Sequence, residues 1–447
     1  MGLIILLGLS ILFIVIATTR LKLHPFLALL VAAFAFGILA RMPLIDVVNS
    51  VNTGFGGTIG YIGIVILAGS IIGTFLEKSG GAYRLAESTL RVTGEKNVPL
   101  AMAIVGYIVS MPVFCDSGFV LLSPLNKALA RKTKMTLAAG AVALSLGLYA
   151  SHTMVPPTPG PVAAAGLLGA DLGRVILCGL IVSAVAAIAG WAFAVKVAAR
   201  IHISPDDDGT RETETPVKTE EIPSTARALL PILLPIALIV ARSVTELPSK
   251  PFGNGQAVAL LGFLGQPTVA LLIGVAASLL LPKKLDRQML SGTGWVGEAV
   301  LGAATIIIIT GAGGAFGKVL QNSGIADVIG GGLKGHEHIG IWLPFLIAAG
   351  IKTAQGSSTV SMITTAGLIA PLLGSLGLEG DAAKALVVVA IGAGSMVVSH
   401  ANDSYFWVVT QFSNMSVSQG YRLQTVGSLV EGIAAAVALW AMSLFLL

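Results

Sequence analysis

Ser151-His152-Thr153-Met154-Val155-Pro156-Pro157-Thr158-Pro159-Gly160-Pro161 interrupts an apolar run that extends from 135 to 169. About 20 apolar residues cross a bilayer, so the run is too long for one plain span, and its polar groups and prolines fall near its middle. Proline lacks the amide donor and fixes φ, so the stretch from Val155 to Pro161 is not expected to be regular helix. Unwound backbone at mid-membrane is tolerated only where it is buried in protein or lines a cavity. The stretch therefore predicts a broken transmembrane helix. A second run, 384–412, has the same form, with Ser399-His400-Ala401-Asn402-Asp403-Ser404 at its interruption.

The rest of the chain is of the same kind. It has 447 residues, 55% hydrophobic and 11% charged, with a mean hydropathy of +0.89. Water-soluble domains carry about 25% charged residues, which excludes a soluble multidomain enzyme. The expected fold class is an all-α polytopic membrane protein, with further spans at 3–19, 25–40, 59–76, 176–195, 228–247, 257–281, 296–318 and 426–447. Two other apolar regions, 98–125 and 339–376, are broken by small and polar residues into halves too short to cross. Each is expected to be a re-entrant hairpin.

Charge placement sets the orientation. Leu3 to Thr19 has no positive charge before it and Arg20 and Lys22 just after it, the reverse of a cleaved signal peptide. With the N-terminus outside and both hairpins re-entrant, 19 of the 27 Lys and Arg fall on the cytoplasmic side. That bias follows the positive-inside rule and puts the C-terminus outside as well. The net charge of +5 is thus read as topology, since no basic cluster with interleaved aromatics points to nucleic acid. Ile203 to Ser224, with Asp206, Asp207, Asp208, Glu212, Glu214, Glu220 and Glu221, has the composition of a mobile cytoplasmic linker. Cys115 and Cys178 lie apart in apolar surroundings and suggest neither a disulfide framework nor a metal site.

An internal repeat links the two broken runs. Ala68-Gly69-(x3)-Gly73-(x2)-Leu76-(x2)-Ser79-Gly80 recurs as Ala312-Gly313-(x3)-Gly317-(x2)-Leu320-(x2)-Ser323-Gly324, at an offset of 244. Leu121-Leu-Ser-Pro124-Leu then matches Leu368-Ile-Ala-Pro371-Leu at 247, and Ser151-His152 matches Ser399-His400 at 248. The topology runs 59–76 inward and 296–318 outward, so the repeats are expected to be inverted. That arrangement marks secondary transporters, whose site lies at the repeat interface. The organisation read from the sequence is N-terminal transmembrane helices over 1–58, a first repeat over 59–195 and an acidic linker over 196–227. Connecting helices follow over 228–295, and a second repeat over 296–447.

Four polar patches are expected to meet near the midplane. Ser117, Ser151, Thr153, Gln355, Ser357, Ser358, Thr359, Ser399, Asn402 and Ser404 supply hydroxyl and amide groups suited to a polyhydroxylated ligand. Helix halves ending at the breaks aim backbone N–H groups and positive dipole ends at a carboxylate. Lys352 is a candidate counter-charge for it, and could equally pair with Asp403 or snorkel to the interface. Single Ser and Thr residues also serve helix packing; it is their clustering in both halves that favours a site. Asp116 and Asp403 are intramembrane carboxylates, functional by default, and His152 and His400 stand at equivalent breaks and can titrate near physiological pH. These four are the candidate proton-coupling groups. No G-x-x-x-x-G-K-[ST] is present, so ATP is not the expected driver. No H-E-x-x-H or Cys/His spacing indicates a metal. No cofactor is expected.

On His24-Pro-Phe-Leu-Ala-Leu29, Gly54-Phe-Gly-Gly-Thr58, Pro156-Pro-x-Pro-Gly-Pro161, Gly311-Ala-Gly-Gly-Ala-Phe316, Gly356-Ser-x-Thr-Val360, Ser399-His-x-Asn-Asp403 and Phe406-Trp407, the chain resembles the gluconate:H⁺ symporter (GntP) family of the ion-transporter superfamily. The resemblance implies a multi-pass permease of a bacterial inner membrane. It would take up gluconate or a related sugar acid, or in some members D-serine, driven by protons; the superfamily suggests a homodimer. The chain departs from the family's usual residues at Cys115-Asp116, Thr158, Lys352 and Ser404-Tyr405, all within the expected site, so the departures bear on which substrate is taken. Two other readings of the residues remain. A Na⁺-coupled carboxylate transporter could use hairpin-tip carbonyls as ligands, and an intramembrane enzyme could use Asp116 and Asp403 as a carboxylate pair. Two access routes would serve no purpose in the enzyme.

Overall fold

A computed structural model describes residues 2–94, 97–205, 222–245, 252–253, 255–325, 328, 340–401 and 403–447. Most of the acidic stretch, 206–221, lies outside the described residues, as does Asn402. Among the described residues the regular elements are helices and no strand occurs.

Helices α1 (Gly2–Thr19) and α2 (Pro25–Leu39) lead into a 35-residue helix, α3 (Leu44–Lys78). It begins well before the expected span at 59, because Asp46, Asn49, Ser50 and Asn52 hide its first turns from a hydropathy reading. These turns face α13 (Trp295–Asn322), where Asn322 Nδ2 donates to Ser50 Oγ at 2.8 Å. Helix α4 (Gly81–Thr93) is amphipathic, burying Leu85, Ala86 and Leu90; its i, i+1, i+5 pattern was not read as an element from the sequence. Helices α5 (Val98–Val109) and α6 (Cys115–Thr133) pair across the turn 110–114, and α7 (Leu137–Met154), α8 (Pro159–Leu168) and α9 (Leu172–Lys196) complete the first half. After α10 (Thr225–Thr245), the expected span at 257–281 is two short helices, α11 (Gln256–Leu264) and α12 (Pro267–Ser278), bent by 69°. Pro267 cannot donate the hydrogen bond that would carry one helix into the next. The second half comprises α13, α14 (Trp342–Gln355), α15 (Ser358–Ile369), α16 (Asp381–Gly394), α17 (Ser404–Phe412) and α18 (Val426–Leu446).

Apart from α4, the order of elements in α3 to α9 recurs in α13 to α18: a long helix, a pair with a tight turn, a broken helix, and a last long helix. Arms also cross between halves, α8 packing on α15 and α17 on α6.

Both long interrupted runs are broken, though not where the polar residues begin. Helix α7 continues through Ser151, His152 and Thr153, and only 155–158 is unwound before Pro159 opens α8, since proline is compatible with the first turn of a helix. The second break is longer, with α16 ending at Gly394 and α17 starting at Ser404. The broken helix is buried from 137 to 165.

The outer faces are apolar. Leu177, Ile181, Val185 and Ile188 on α9, and Leu429, Ile433, Val437, Trp440 and Leu444 on α18, are exposed at helical spacing. Apolar stripes of this length suit acyl chains rather than water. Among the described residues, five helical stretches are long and apolar enough to cross a membrane, or seven counting the two bent pairs.

Close backbone contacts hold the centre together. A β-carbon on Gly147 of α7 would overlap the carbonyl oxygen of Ala103 on α5, and one on Gly106 would lie 2.6 Å from Leu144 O. Gly147→Ala should therefore destabilise the protein by about 1–3 kcal/mol, the range for overpacking a filled interior. Thermal unfolding of the detergent-purified variant checks this; an unchanged midpoint would mean that the two helices can separate freely.

Candidate functional site

The site is built at the turn between α14 and α15. Helix α14 stops at Gln355 because Gly356 takes φ +89°, a left-handed conformation, and returns its N–H to Lys352 O. Glycine reaches this region without steric penalty. Ser357 then caps α15, its Oγ accepting from Val360 N at 3.3 Å. The turn takes two residues, and Lys352 lies one helical turn before it.

Lys352 is fully buried. Its Nζ donates to Gly356 O and to Asp403 Oδ2, the latter at 2.6 Å. Asp403 comes from the other break, as the N-cap of α17, with Oδ1 accepting from Tyr405 N at 3.1 Å. Ser399 Oγ donates to Asp403 Oδ2 at 2.5 Å, and Tyr149 OH approaches the same oxygen at 3.5 Å. The Tyr149 hydroxyl also lies 2.7 Å from Ser358 Oγ, joining α7 of the first half to α15 of the second. The Lys352 ammonium is 5.8 Å from the centre of the Tyr149 ring.

The unwound backbone beside the pair is satisfied by α18 and the turn before it. Ser399 N donates to Ser428 Oγ at 2.9 Å, and Thr425 Oγ1 donates to Ser399 O at 2.6 Å. Half-buried His400 places Nε2 at 2.9 Å from Thr353 O, linking the break to α14. These bonds answer the requirement that buried main-chain groups be paired.

Asp116 and Ser117 occupy the first turn of α6, both half-buried. Asp116 Oδ1 has no hydrogen-bond partner among the described residues, nor have Ser151 Oγ, His152 Nδ1 and Gln355 Nε2. The His152 ring lies 5.9 Å from that of Phe114. Asp116 is in electrostatic reach of both Asp403 and Lys352, and His152 of Asp403.

The sequence candidates thus divide. Lys352, Ser358, Ser399 and Asp403 form one connected cluster, with Asp116 and His152 close enough to act on it electrostatically. Thr153 bonds its hydroxyl to Tyr149 O at 3.1 Å within its own helix. Ser357 and Ser404 are exposed at the starts of α15 and α17, and Thr359 is half-buried. Asn402 falls outside the described residues. Sequence reasoning missed Tyr149 and Tyr405. Tyr149 sits among Ala, Leu and Gly, and its one signal is that it lies within a turn of Ser151-His152. Tyr405 lies in the first turn of α17, just after the second break, and donates its hydroxyl to Ser145 O at 2.9 Å.

Chemically, the cluster holds a cation matched by one carboxylate, ringed by hydroxyls, between the N-terminal ends of α15 and α17. A buried ion pair loses much of its Coulomb gain to desolvation, so the pair adds little net stability over an apolar packing of the same volume.

Residues 1–445 match the family described as GntP family permease. A gluconate permease of Pseudomonas aeruginosa is 35% identical over 443 residues, covering 97% of this chain and 96% of that protein. The D-serine transporter DsdX of Escherichia coli K12 is 34% identical, with 95% of each chain covered. A gluconate permease of Bacillus subtilis is 31% identical, covering 96% of this chain and 97% of its own. The crystal structure of the Alcanivorax borkumensis YdaH transporter is similar in fold, with a TM-score of 0.66 at 15% identity over 94% of this chain and 98% of that one.

Proposed function

The chain belongs to the GntP family of permeases, and from that premise we propose that it imports gluconate, or a related small hydroxylated monocarboxylate, by proton symport. The family and these relatives are permeases, not enzymes, which sets aside the carboxylate-pair enzyme.

The observation that carries the proposal is the buried Lys352–Asp403 pair. A substrate carboxylate competes with Asp403 for the one ammonium group. When Asp403 binds a proton, Lys352 is released to the substrate, while Tyr149, Ser358 and Ser399 offer hydroxyls to the substrate's own. When the substrate leaves inside, Lys352 returns to Asp403 and the proton departs to water. Anion and proton therefore enter and leave together. Among relatives the names gluconate permease and D-serine transporter both occur. The cationic Lys352 favours the anion, whereas the ammonium of an amino acid would need the free oxygen of Asp116. Uptake of labelled gluconate into proteoliposomes under a proton gradient, under a Na⁺ gradient and with D-serine as competitor tests the proposal. Accumulation driven by protons supports it. Accumulation driven only by Na⁺, or selective for D-serine, would replace it.

We further read the recurring element order and the crossed packing of α8 on α15 and α17 on α6 as inverted repeats with re-entrant hairpins. The protein would sit in a bacterial inner membrane with both termini outside. Lys284, exposed between α12 and α13, then faces the cytoplasm. Cys115 and Cys178 are buried, so Lys284→Cys reports on its own. An impermeant thiol reagent should label it in inside-out vesicles and not in intact cells; the reverse pattern would overturn the orientation.

A further inference from the structure

Glu431 lies in the second turn of α18, seven residues beyond Gln424, and its side chain is fully buried. Neither carboxylate oxygen has a hydrogen-bond partner among the described residues. Every element packed on that part of α18 is apolar or neutral where it faces the carboxylate. Helix α9 presents Gly190, where a β-carbon would come within 3.5 Å of Glu431 Oε1 and closer still to Leu146 of α7. The break after α16 brings Val397 against the adjoining Gly432, with the Ala393 carbonyl of α16 beyond it. The turn before α18 brings Gln424, whose Oε1 accepts from Ser145 Oγ at 2.6 Å while its Nε2 is unpartnered. Tyr405 of α17 is the titratable group in electrostatic reach of Glu431, and its phenol is engaged on Ser145 O. Among the described residues no ion pair involves Glu431.

Buried charges in proteins are paired or neutralised, and a buried polar group without a partner calls for a reason. Here no counter-charge is in place. We propose that Glu431 is a second proton-binding site, separate from the Lys352–Asp403 pair, loaded as the neutral acid while α18 is packed on α7 and α9. The group bound is a proton from water, and its release leaves a carboxylate that the closed seam does not accommodate. Ionisation therefore opens the α7–α9–α18 seam, and the packed conformation loses population as pH rises. Because Ser145 and Tyr405 join this seam to the Asp403 break, seam opening slows the conformational exchange that carries substrate.

This inference rests on the proposed proton symport for its functional consequence, but it has its own readout. Infrared difference spectra of the reconstituted full-length protein, taken between neutral and alkaline pH, should contain a carboxylic-acid carbonyl band that Glu431→Gln lacks. A band unchanged in that variant, or no such band in the native protein, would overturn the assignment whatever drives transport. Exchange of labelled gluconate at equal concentrations gives the second readout. In an Asp403→Asn background, exchange should fall at alkaline pH, and adding Glu431→Gln should remove that fall; a fall that persists would contradict the seam role. Accumulation of gluconate by the native protein under a proton gradient reads the symport separately, and its failure would count against symport and leave the infrared result standing. Should the Gln variant not fold, Glu431→Asp decides: a displaced pH profile supports the site, and an unchanged one overturns it.

Discussion

Lys352→Gln is expected to abolish gluconate uptake and to weaken the protein at the same time. Removing the ammonium leaves Asp403 as a buried carboxylate without a counter-ion, and breaking a buried pair on one side costs about 3–5 kcal/mol of stability. Truncating a desolvated charge that meets a charged ligand costs about 2–5 kcal/mol of binding. The two effects separate in the double variant Lys352→Gln/Asp403→Asn. It has no stranded charge, so thermal stability should recover most of what the single variant lost, whereas gluconate binding should not. Recovery of binding along with stability would remove Lys352 from the substrate and leave it a purely structural cation.

Asp403→Asn is expected to uncouple transport. Asn cannot take up and release a proton, yet it keeps the size of Asp and can still cap α17 through its amide oxygen. Lys352 is then permanently available. The variant should exchange gluconate between equal concentrations but fail to concentrate it under a proton gradient. Affinity should also change character. In the native protein, binding that requires one bound proton weakens about tenfold for each pH unit over the range where the unliganded pair does not hold that proton. The sign follows from the proton being bound in the complex and not in the free ion pair, so binding is full at low pH and lost as pH rises. The Asn variant should bind gluconate at alkaline pH as the native protein does at acid pH. Titration of binding across pH checks this, and a native-like pH slope in the variant would move the proton to Asp116 or His152.

How much of this was legible depended on chemical contrast. Lys352 and Asp403 stand out because a charge in an apolar run is rare and expensive, and both fall beside breaks that proline, glycine and serine announce. Their pairing was one of several options the sequence left open, because 51 residues separate them and nothing local fixes which partner a buried lysine finds. Tyr149 was not legible as a site residue, since a tyrosine in a packed helix reads as core until its hydroxyl is seen to reach Ser358 and Asp403. Glu431 carried the same signal as Asp403, a carboxylate in a span, but it has no proline or serine break beside it. The breaks themselves were read about half right. Polar residues need not unwind a helix when it is buried among partners, so α7 runs through Ser151 to Thr153, and only the prolines stop it. Helix α3 shows the converse: its polar first turns face α13, which a reading based on hydropathy takes for loop.

The exchange of partners at Lys352 is tested most directly by counting protons as gluconate binds to the purified protein. Binding heats measured in buffers of different ionisation enthalpy give that number without any membrane gradient. A proton should be taken up with each gluconate bound over the pH range where native affinity falls with pH, and none in Asp403→Asn. Gluconate binding with no proton uptake in the native protein, over the same pH range, would contradict the coupling of Lys352 and Asp403 to the substrate.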